Sequence, residues 1–438
     1  MLNRRRVMGL AAAALSVSTL PTLAALPPKN PTEVMTQWYR LVLELIRHTA
    51  TQTPPVASRA MAYLGVTIYE SLATGNPAMT TLAGQLNDLP PVPARPDALH
   101  DEALVVHGAI ITAMNHFFGN TGPTGQRAMK AVERQLTKTL TDGHSADVID
   151  RSLACGQAVA AHIIAWSATD GGATVENMGF PLTWTLTEGP AHWVPTSKVA
   201  QQQAPLLPNW GQNRTFAMPK DMDVACGLPA PPAYSEDPAS EFYLQAKEVY
   251  DTGVNLTEPQ KATARFWSDD PMLSSTPPGH WLYVAVDLIK TTGMDAPHAA
   301  DLLARIGVSV ADAFIACWAT KVQYDLLRPV TYIKRVIDPK WEPLLNTPPF
   351  PEYPSGHSTQ SGAAAVVLTA VFGENYKYLD TTHTDEGMKG REYPSFMAAA
   401  EEAGISRLYG GIHFRAAIED GLRQGYCTGA YTVALRTL

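Results

Sequence analysis

Residues 299–321 read AADLLARIGVSVADAFIACWATK. Within them Leu302, Leu303, Ile306, Val310, Phe314 and Cys317 recur at three- and four-residue spacing, the mark of one buried face of a long helix. Lys321 continues that face. Arg328 follows seven residues later, two turns or about 10 Å along a helix, and Pro329 biases it away from helical geometry. A Lys and an Arg so placed can grip one small anion from a helix and its end. Taken alone, they also have an ordinary meaning: a Lys stem packed with its charge snorkelling, and an Arg at a helix C-terminus.

The same periodicity recurs along the chain. It predicts helices over 32–48, 55–73, 98–118, 124–140, 146–167, 240–250, 259–266, 281–291, 298–327, 356–372, 396–409 and 413–433. Between 171 and 238 the pattern fails, and Pro, Gly and Asn accumulate. That stretch reads as a long ordered loop covering the site, although loops of this length are uncommon in compact domains. The expected fold is all-α, two packed helical bundles (25–170 and 239–438) joined by this irregular proline-rich connection, 171–238.

Two further segments carry chemistry. Pro351 and Pro354 punctuate a loop that enters an apolar helix at Ser355-Gly356-His357. A helix N-terminus has unsatisfied N–H groups and a partial positive charge, so Ser355 and the Gly356 amide face an anion. Gly356 lets the backbone come close, and His357 in the first turn is placed to exchange a proton with that ligand. In the third segment Arg407 ends one helical stretch, Gly410 and Gly411 break it, and His413 opens another. An ordinary Pro-Ser cap and a surface His would explain the second segment alone. Three such segments in this order supply three cations, two imidazoles, a hydroxyl and a glycine amide, which is a cage for a tetrahedral or trigonal-bipyramidal oxyanion.

The series Lys321-x6-Arg328-Pro329, Pro354-Ser355-Gly356-His357 and Ser406-Arg407-x5-His413 resembles the signature of the acid phosphatase and vanadium haloperoxidase superfamily, and specifically its bacterial vanadium-dependent haloperoxidase branch. The strong likeness covers 318–413, with a weaker one over 193–211 and 266–270. The resemblance implies vanadate as cofactor, with His413 as the one protein ligand of vanadium. It implies that Lys321, Arg328 and Arg407 neutralise the equatorial oxygens, helped by Ser355 and Gly356, and that His357 is the acid/base. One of Asp269 and Asp270, Asp270 before Asp269, would pair with Arg407. Trp318 and Phe350 stand where chloroperoxidase-type members line the halide side; without that register they read as core aromatics. Hydrogen peroxide and halide would be the substrates, and the family also admits a small organic acceptor and homo-oligomers.

A phosphatase with a phosphohistidine at His413 is the competing expectation, because trigonal-bipyramidal vanadate mimics the transition state of phosphoryl transfer. Phosphatase members orient that nucleophile with an Asp four residues on. Here that position is Ala417, and Glu419 and Asp420 lie too far along for an i, i+4 contact. A metal-ligating His can instead be oriented through a backbone carbonyl. A non-enzymatic oxyanion binder is a third expectation, against which the two histidines stand.

Arg4-Arg5-Arg6 followed by a short apolar run and Thr22-Leu23-Ala24 reads as an export signal over 1–24. The paired arginines resemble the twin-arginine route for folded proteins, so a periplasmic or secreted location is expected. No later segment reads as a membrane span. The chain carries a formal charge of −8, so its cluster of cations stands out against an acidic background. No basic stripe calls for nucleic acid. Zinc-protease, P-loop and Rossmann fingerprints are absent. Cys155, Cys226, Cys317 and Cys427 could pair after export, but three of them read first as core residues. His280 and His383 fall near expected loops and read as surface residues.

Overall fold

The computed structural model describes residues 30–221 and 225–438; the expected export signal lies outside them. Among the described residues there are thirteen α-helices and one small hairpin. The front group is α1 (Pro31–Arg47), α2 (Pro54–Ala73), α3 (Glu102–Phe117), α4 (Pro123–Thr141) and α5 (Ala146–Ser167). The second group is α6 (Glu241–Val254), α7 (Glu258–Phe266), α8 (Thr276–Thr292), α9 (Ala296–Tyr324), α10 (Pro329–Val336), α11 (Gly356–Phe372), α12 (Phe396–Tyr409) and α13 (Arg415–Val433). Strands β1 (Tyr378–Asp380) and β2 (Arg391–Tyr393) pair antiparallel, with Tyr378 opposite Tyr393. The fold is all-α.

Helix α9 is the axis of the molecule. It packs most extensively on α2 and also contacts α11 and α13, so its apolar residues are buried on nearly every side rather than along one stripe. It is the one helix among the described residues long and apolar enough to cross a membrane, and that apolar stretch is buried inside the protein. Its contact with α2 is backbone against backbone. A Cβ at Gly65 would lie 2.8 Å from the Ala304 Cα, and one at Gly307 the same distance from the Ala62 Cα. On the other side Gly425 lets α13 lie against α11, since its Cβ would fall 2.1 Å from the Thr359 carbonyl oxygen. One continuous core runs from Val34 to Ala403 through both groups. Each fully buried Leu, Ile or Phe within it contributes roughly 1.5–3 kcal/mol.

The helix expected to run on to 327 stops at Tyr324, because Asp325 takes a left-handed conformation (φ 45°, ψ 39°) as its C-cap. Arg328 then stands in extended geometry as the N-cap of α10, with Pro329 at its first position, where the missing N–H costs nothing. Helix α10 was not expected from the sequence.

Between α5 and α6 the described chain carries short 3₁₀ turns at Asn177–Gly179, Ala200–Gln203 and Trp210–Gln212. It is tied to α9 at a buried carboxylate: Asp312 accepts from the amides of Phe216 (2.6 Å), Ala217 and Met218 (both 2.8 Å). Burial pushes the Asp312 carboxyl up to about 6, against the pull of those three amides. Cys226 is disulfide-bonded to Cys427 of α13, whereas Cys155 and Cys317 are free.

Candidate active site

The three charged segments meet between the ends of α9, α11 and α12. Arg328 is fully buried. Its Nε donates to the Phe350 carbonyl at 2.8 Å and its Nη1 to the Ile412 carbonyl at 3.0 Å. Nη1 also lies 3.2 Å from His413 Nε2, while Nη2 is buried without a hydrogen-bond partner. Arg407, in the last turn of α12, donates through Nε to Ser406 Oγ (3.0 Å) and through Nη2 to the Trp267 carbonyl (2.5 Å). Ser355 caps α11 by accepting from the Ser358 amide at 3.3 Å, so the first amides of α11 open on this space. A Cβ at Gly356 would meet the Trp318 ring at 3.7 Å, an ordinary contact. Protein packing alone therefore does not demand glycine there.

His413 does not open a helix. It stands two residues before α13, in the bend that follows Gly411 (φ 77°). The cause is Glu352, whose Oε1 is 2.8 Å from His413 Nδ1 and accepts from the Phe414 amide at the same distance. A guanidinium can only donate, so Nε2 facing Arg328 is the acceptor nitrogen and Nδ1 carries the proton. Burial, then the charges of Arg328, Lys321 and Arg407, hold His413 well below the usual histidine range. It is a neutral imidazole with one lone pair directed into the cage, which is the form a metal-bound histidine takes.

His357 is 17% exposed, and its Nε2 lies 4.0 Å from Asp269 Oδ2. Burial and then Arg407 push its pKa well below the usual value, while Asp269 pulls the other way. His357 thus stands neutral, able to accept a proton, beside a carboxylate that would stabilise the cation formed.

Lys321 and Asp270 are held within the protein in ways that the motifs do not announce. The Lys321 ammonium donates to the carbonyls of Pro351 and Glu352 (both 2.9 Å) and to that of Pro354. All three of its protons are engaged, so it fastens the loop that carries Glu352 to α9. Burial pulls Lys321 down to about 7, and the carbonyls oppose this by favouring the ammonium. Asp270 makes no ion pair with Arg407 within 4.0 Å. It acts on Arg407 only through space, as does Asp269, and the guanidinium is held by backbone carbonyls instead.

Trp318 and Phe350 face each other with ring centroids 5.0 Å apart. The Lys321 Nζ lies 5.2 Å from the Phe350 ring and the Arg328 guanidinium 5.0 Å from it. These aromatics line a cavity of about 170 Å³, whose other side is lined by Trp184, Thr187, Pro205, Leu206 and Pro208. The irregular connection therefore covers this flank of the cage, and Trp318 Nε1 donates to the Leu206 carbonyl at 3.0 Å to hold it there.

The chain is 36% identical to a protein described as the first bacterial vanadium-dependent iodoperoxidase, over 93% of this chain and 97% of that one, with a TM-score of 0.83. It belongs to the vanadium-dependent haloperoxidase family. The family model for the VCPO second helical-bundle domain matches residues 301–437, the part that carries Lys321, Arg328, His357, Arg407 and His413. A holo-type and an apo-type bacterial vanadium-dependent chloroperoxidase share the fold at 15% and 13% identity, with TM-scores of 0.65 and 0.63. They cover 94% and 87% of this chain, and 93% and 94% of their own lengths. No curated protein matches the chain.

Within this family site, sequence reasoning missed Glu352. With Ala417 four residues after His413, the motif leaves only a backbone carbonyl to orient the imidazole, whereas the orienting group is an acid from the loop before α11. A lone carboxylate between two prolines was the available signal. The placement of His280 and His383 at the surface is also overturned: both are buried, at 0% and 3% exposure. They bind Asp269, which itself adopts a left-handed φ of 48°.

Proposed function

We propose that the cage of Arg328, Arg407, Ser355, Gly356, His357 and His413 holds vanadate and that the protein oxidises halide with hydrogen peroxide. The observation that carries this is a neutral, carboxylate-oriented His413 whose acceptor nitrogen opens among buried cations, with Arg328 Nη2 and His357 Nε2 left unpartnered. That donor set fits an oxyanion of pentavalent vanadium: one imidazole for the metal, N–H groups for its oxygens. Vanadate, when bound, supplies a Lewis acid that polarises peroxide without changing its own oxidation state.

The protein's share is proton handling and charge. His413 would offer Nε2 to the metal, and the Arg328 N–H that faces this nitrogen would be free to serve an oxyanion oxygen. With vanadate bound, Arg328 and Arg407 would neutralise the charge on its oxygens, and the amides at the start of α11 would add donors aimed at it. His357 takes a proton from hydrogen peroxide as it enters. Lys321 anchors the Glu352 loop and places its charge between the cage and the Trp318–Phe350 cavity, from which halide approaches. In total, halide, hydrogen peroxide and one proton give hypohalous acid and water. Iodide is the first halide in this reading, since the 36% identical relative is an iodoperoxidase.

Hydrolysis of phosphate monoesters is a second reading for the vanadate-free protein. Glu352 on His413 Nδ1 supplies the carboxylate that a phosphohistidine mechanism uses to orient its nucleophile. Export is the proposed setting. The Cys226–Cys427 disulfide supports an oxidising compartment, in agreement with the arginine-led N-terminus.

The deciding experiment strips the mature protein of metal and titrates it with orthovanadate while following peroxide-dependent oxidation of iodide and bromide. Saturable activity that requires vanadate and is lost in His413→Ala is expected. Vanadate binding without halide oxidation, coupled to vanadate-inhibited phosphate release, would replace this reading with the phosphatase.

A further inference from the structure

Beside His357 lies a second cluster, of which the oxyanion cage uses only Asp269 Oδ2. Asp269, His280 and His383 are at most 3% exposed, and their donor atoms all fall within 4.8 Å of one another. His280 Nδ1 and His383 Nε2 both approach the same oxygen, Asp269 Oδ1, at 3.1 Å. The other oxygen, Oδ2, has no hydrogen-bond partner. The two ring nitrogens and the carboxylate thus form a compact, buried set of three donor atoms, the number that a cation held by three protein ligands needs.

Three further observations agree. Charge-assisted N–H···O⁻ bonds run to about 2.7–2.9 Å, so the two inner contacts, like the His383–Glu386 contact, are long for imidazolium–carboxylate pairs. They sit close to the roughly 3.3 Å edge of a tetrahedron whose bonds are about 2.0–2.1 Å. The outer nitrogen of each ring rests on another carboxylate: His280 Nε2 is 2.8 Å from Asp380 Oδ2 and His383 Nδ1 is 3.1 Å from Glu386 Oε2. That carboxylate–histidine pairing fixes the tautomer and the aim of metal-binding imidazoles, and here it occurs twice. The rings are also clamped, His280 stacked on Trp267 at 4.3 Å and both imidazoles edge-on to Phe266.

Charge closes the argument. With a carboxylate at both nitrogens of each ring, the cluster without a metal needs two buried imidazoliums among three carboxylates. Exchanging the two inner protons for one divalent ion leaves the net charge unchanged. We propose that Asp269, His280 and His383 bind one divalent ion of the zinc class. The two-imidazole, one-carboxylate set suits Zn²⁺ or Co²⁺ better than Ca²⁺ or Mg²⁺. Binding releases the His280 Nδ1 and His383 Nε2 protons to solvent, and each ring keeps its outer N–H on Asp380 or Glu386. The ion's role is positional: it fixes Asp269 so that Oδ2 stays 4.0 Å from His357 Nε2.

The test uses vanadate-loaded protein. Purified without chelator, it should carry close to one equivalent of a zinc-class metal by elemental analysis. After chelation, Co²⁺ should restore visible absorption bands that saturate at one equivalent, with proton release and a rise in melting temperature. His383→Gln should weaken Co²⁺ binding at least 100-fold while vanadate binding, titrated separately, persists. Failure of the chelated wild type to develop Co²⁺ bands or to gain stability with Zn²⁺ would make the cluster a doubly protonated hydrogen-bond network. Bands that survive in both His383→Gln and Asp269→Asn would place the ion elsewhere and equally overturn the proposal. If a variant does not fold, the wild-type stoichiometry and spectrum decide alone.

Discussion

Glu352 Oε1 lies 2.8 Å from both His413 Nδ1 and the Phe414 amide nitrogen. One carboxylate oxygen thus sets the imidazole tautomer and the point at which α13 begins. Burial pushes the Glu352 carboxyl up to about 7, against the pull of Arg328, Lys321 and the Phe414 amide, and its Oε2 has no partner.

Glu352→Gln keeps the shape and removes the charge that makes His413 a strong donor. Outer partners of metal-binding histidines typically affect affinity 10–100-fold, and a loss of vanadate affinity of that size is expected. Equilibrium titration with vanadate measures it. Wild-type affinity in this variant would show that the carboxylate serves only the Phe414 amide.

Asp312 holds the cover over the Trp318–Phe350 cavity through three backbone amides. Asp312→Ala leaves those donors unsatisfied, each at a cost of about 1–3 kcal/mol if they stay buried, so the segment is expected to detach rather than remain in place. Faster proteolysis and amide exchange within 171–218 should follow, along with a raised KM for halide. Unaltered exchange there would mean that the Trp318 bond to Leu206 suffices as anchor.

The legible parts of this molecule are those whose causes are local. Helices α5, α11 and α12 begin and end where the sequence places them, α11 and α12 because serine side chains cap them at Ser355 and Ser395 and glycines follow their last residues. Helix α10 escaped notice because its eight residues are too few to display a period. The break at Asp325 is a left-handed residue that carries no glycine to announce it. The cage residues were visible because each lies in a short motif at a helix boundary. Glu352, His280 and His383 were not, since their contacts span 61, 100 and 114 residues and arise only from tertiary packing.

Part of the acid sensitivity should arise in the front bundle, beside that of the neutral His357 and His413. His107 is fully buried on α3, accepts from Trp38 Nε1 at its Nδ1 (3.2 Å) and faces Thr137 Oγ1 with Nε2 (2.9 Å). Burial brings its pKa down to about 4 from 6.5. The unfolded chain therefore binds one more proton than the native one between these values. Stability should fall as pH drops from about 6.5 toward 4, by roughly 3 kcal/mol for this group at 1.36 kcal/mol per unit. Chemical denaturation across that range should show the slope, and His107→Gln should flatten it. An equal slope in the variant would assign the acid limb to other groups.

The Cys226–Cys427 bond joins the irregular connection to the last helix across a separation of 201 residues. It carries an anchor for the cover, because Met218 and Cys226 pack together against Ala316 of α9, with Cys427 of α13 beside them. In the chain-entropy account, closing so long a loop restricts the unfolded state by up to about 5 kcal/mol, with 2–4 typical. Cys226→Ser with Cys427→Ser should therefore lower the unfolding free energy by a few kcal/mol without touching the cage, so that vanadate affinity stays at the wild-type level. A dithiol reductant should lower the melting temperature of the wild type and leave the double variant unchanged. Loss of vanadate affinity along with stability would mean that the connection supports the cage itself and does more than cover its aromatic flank.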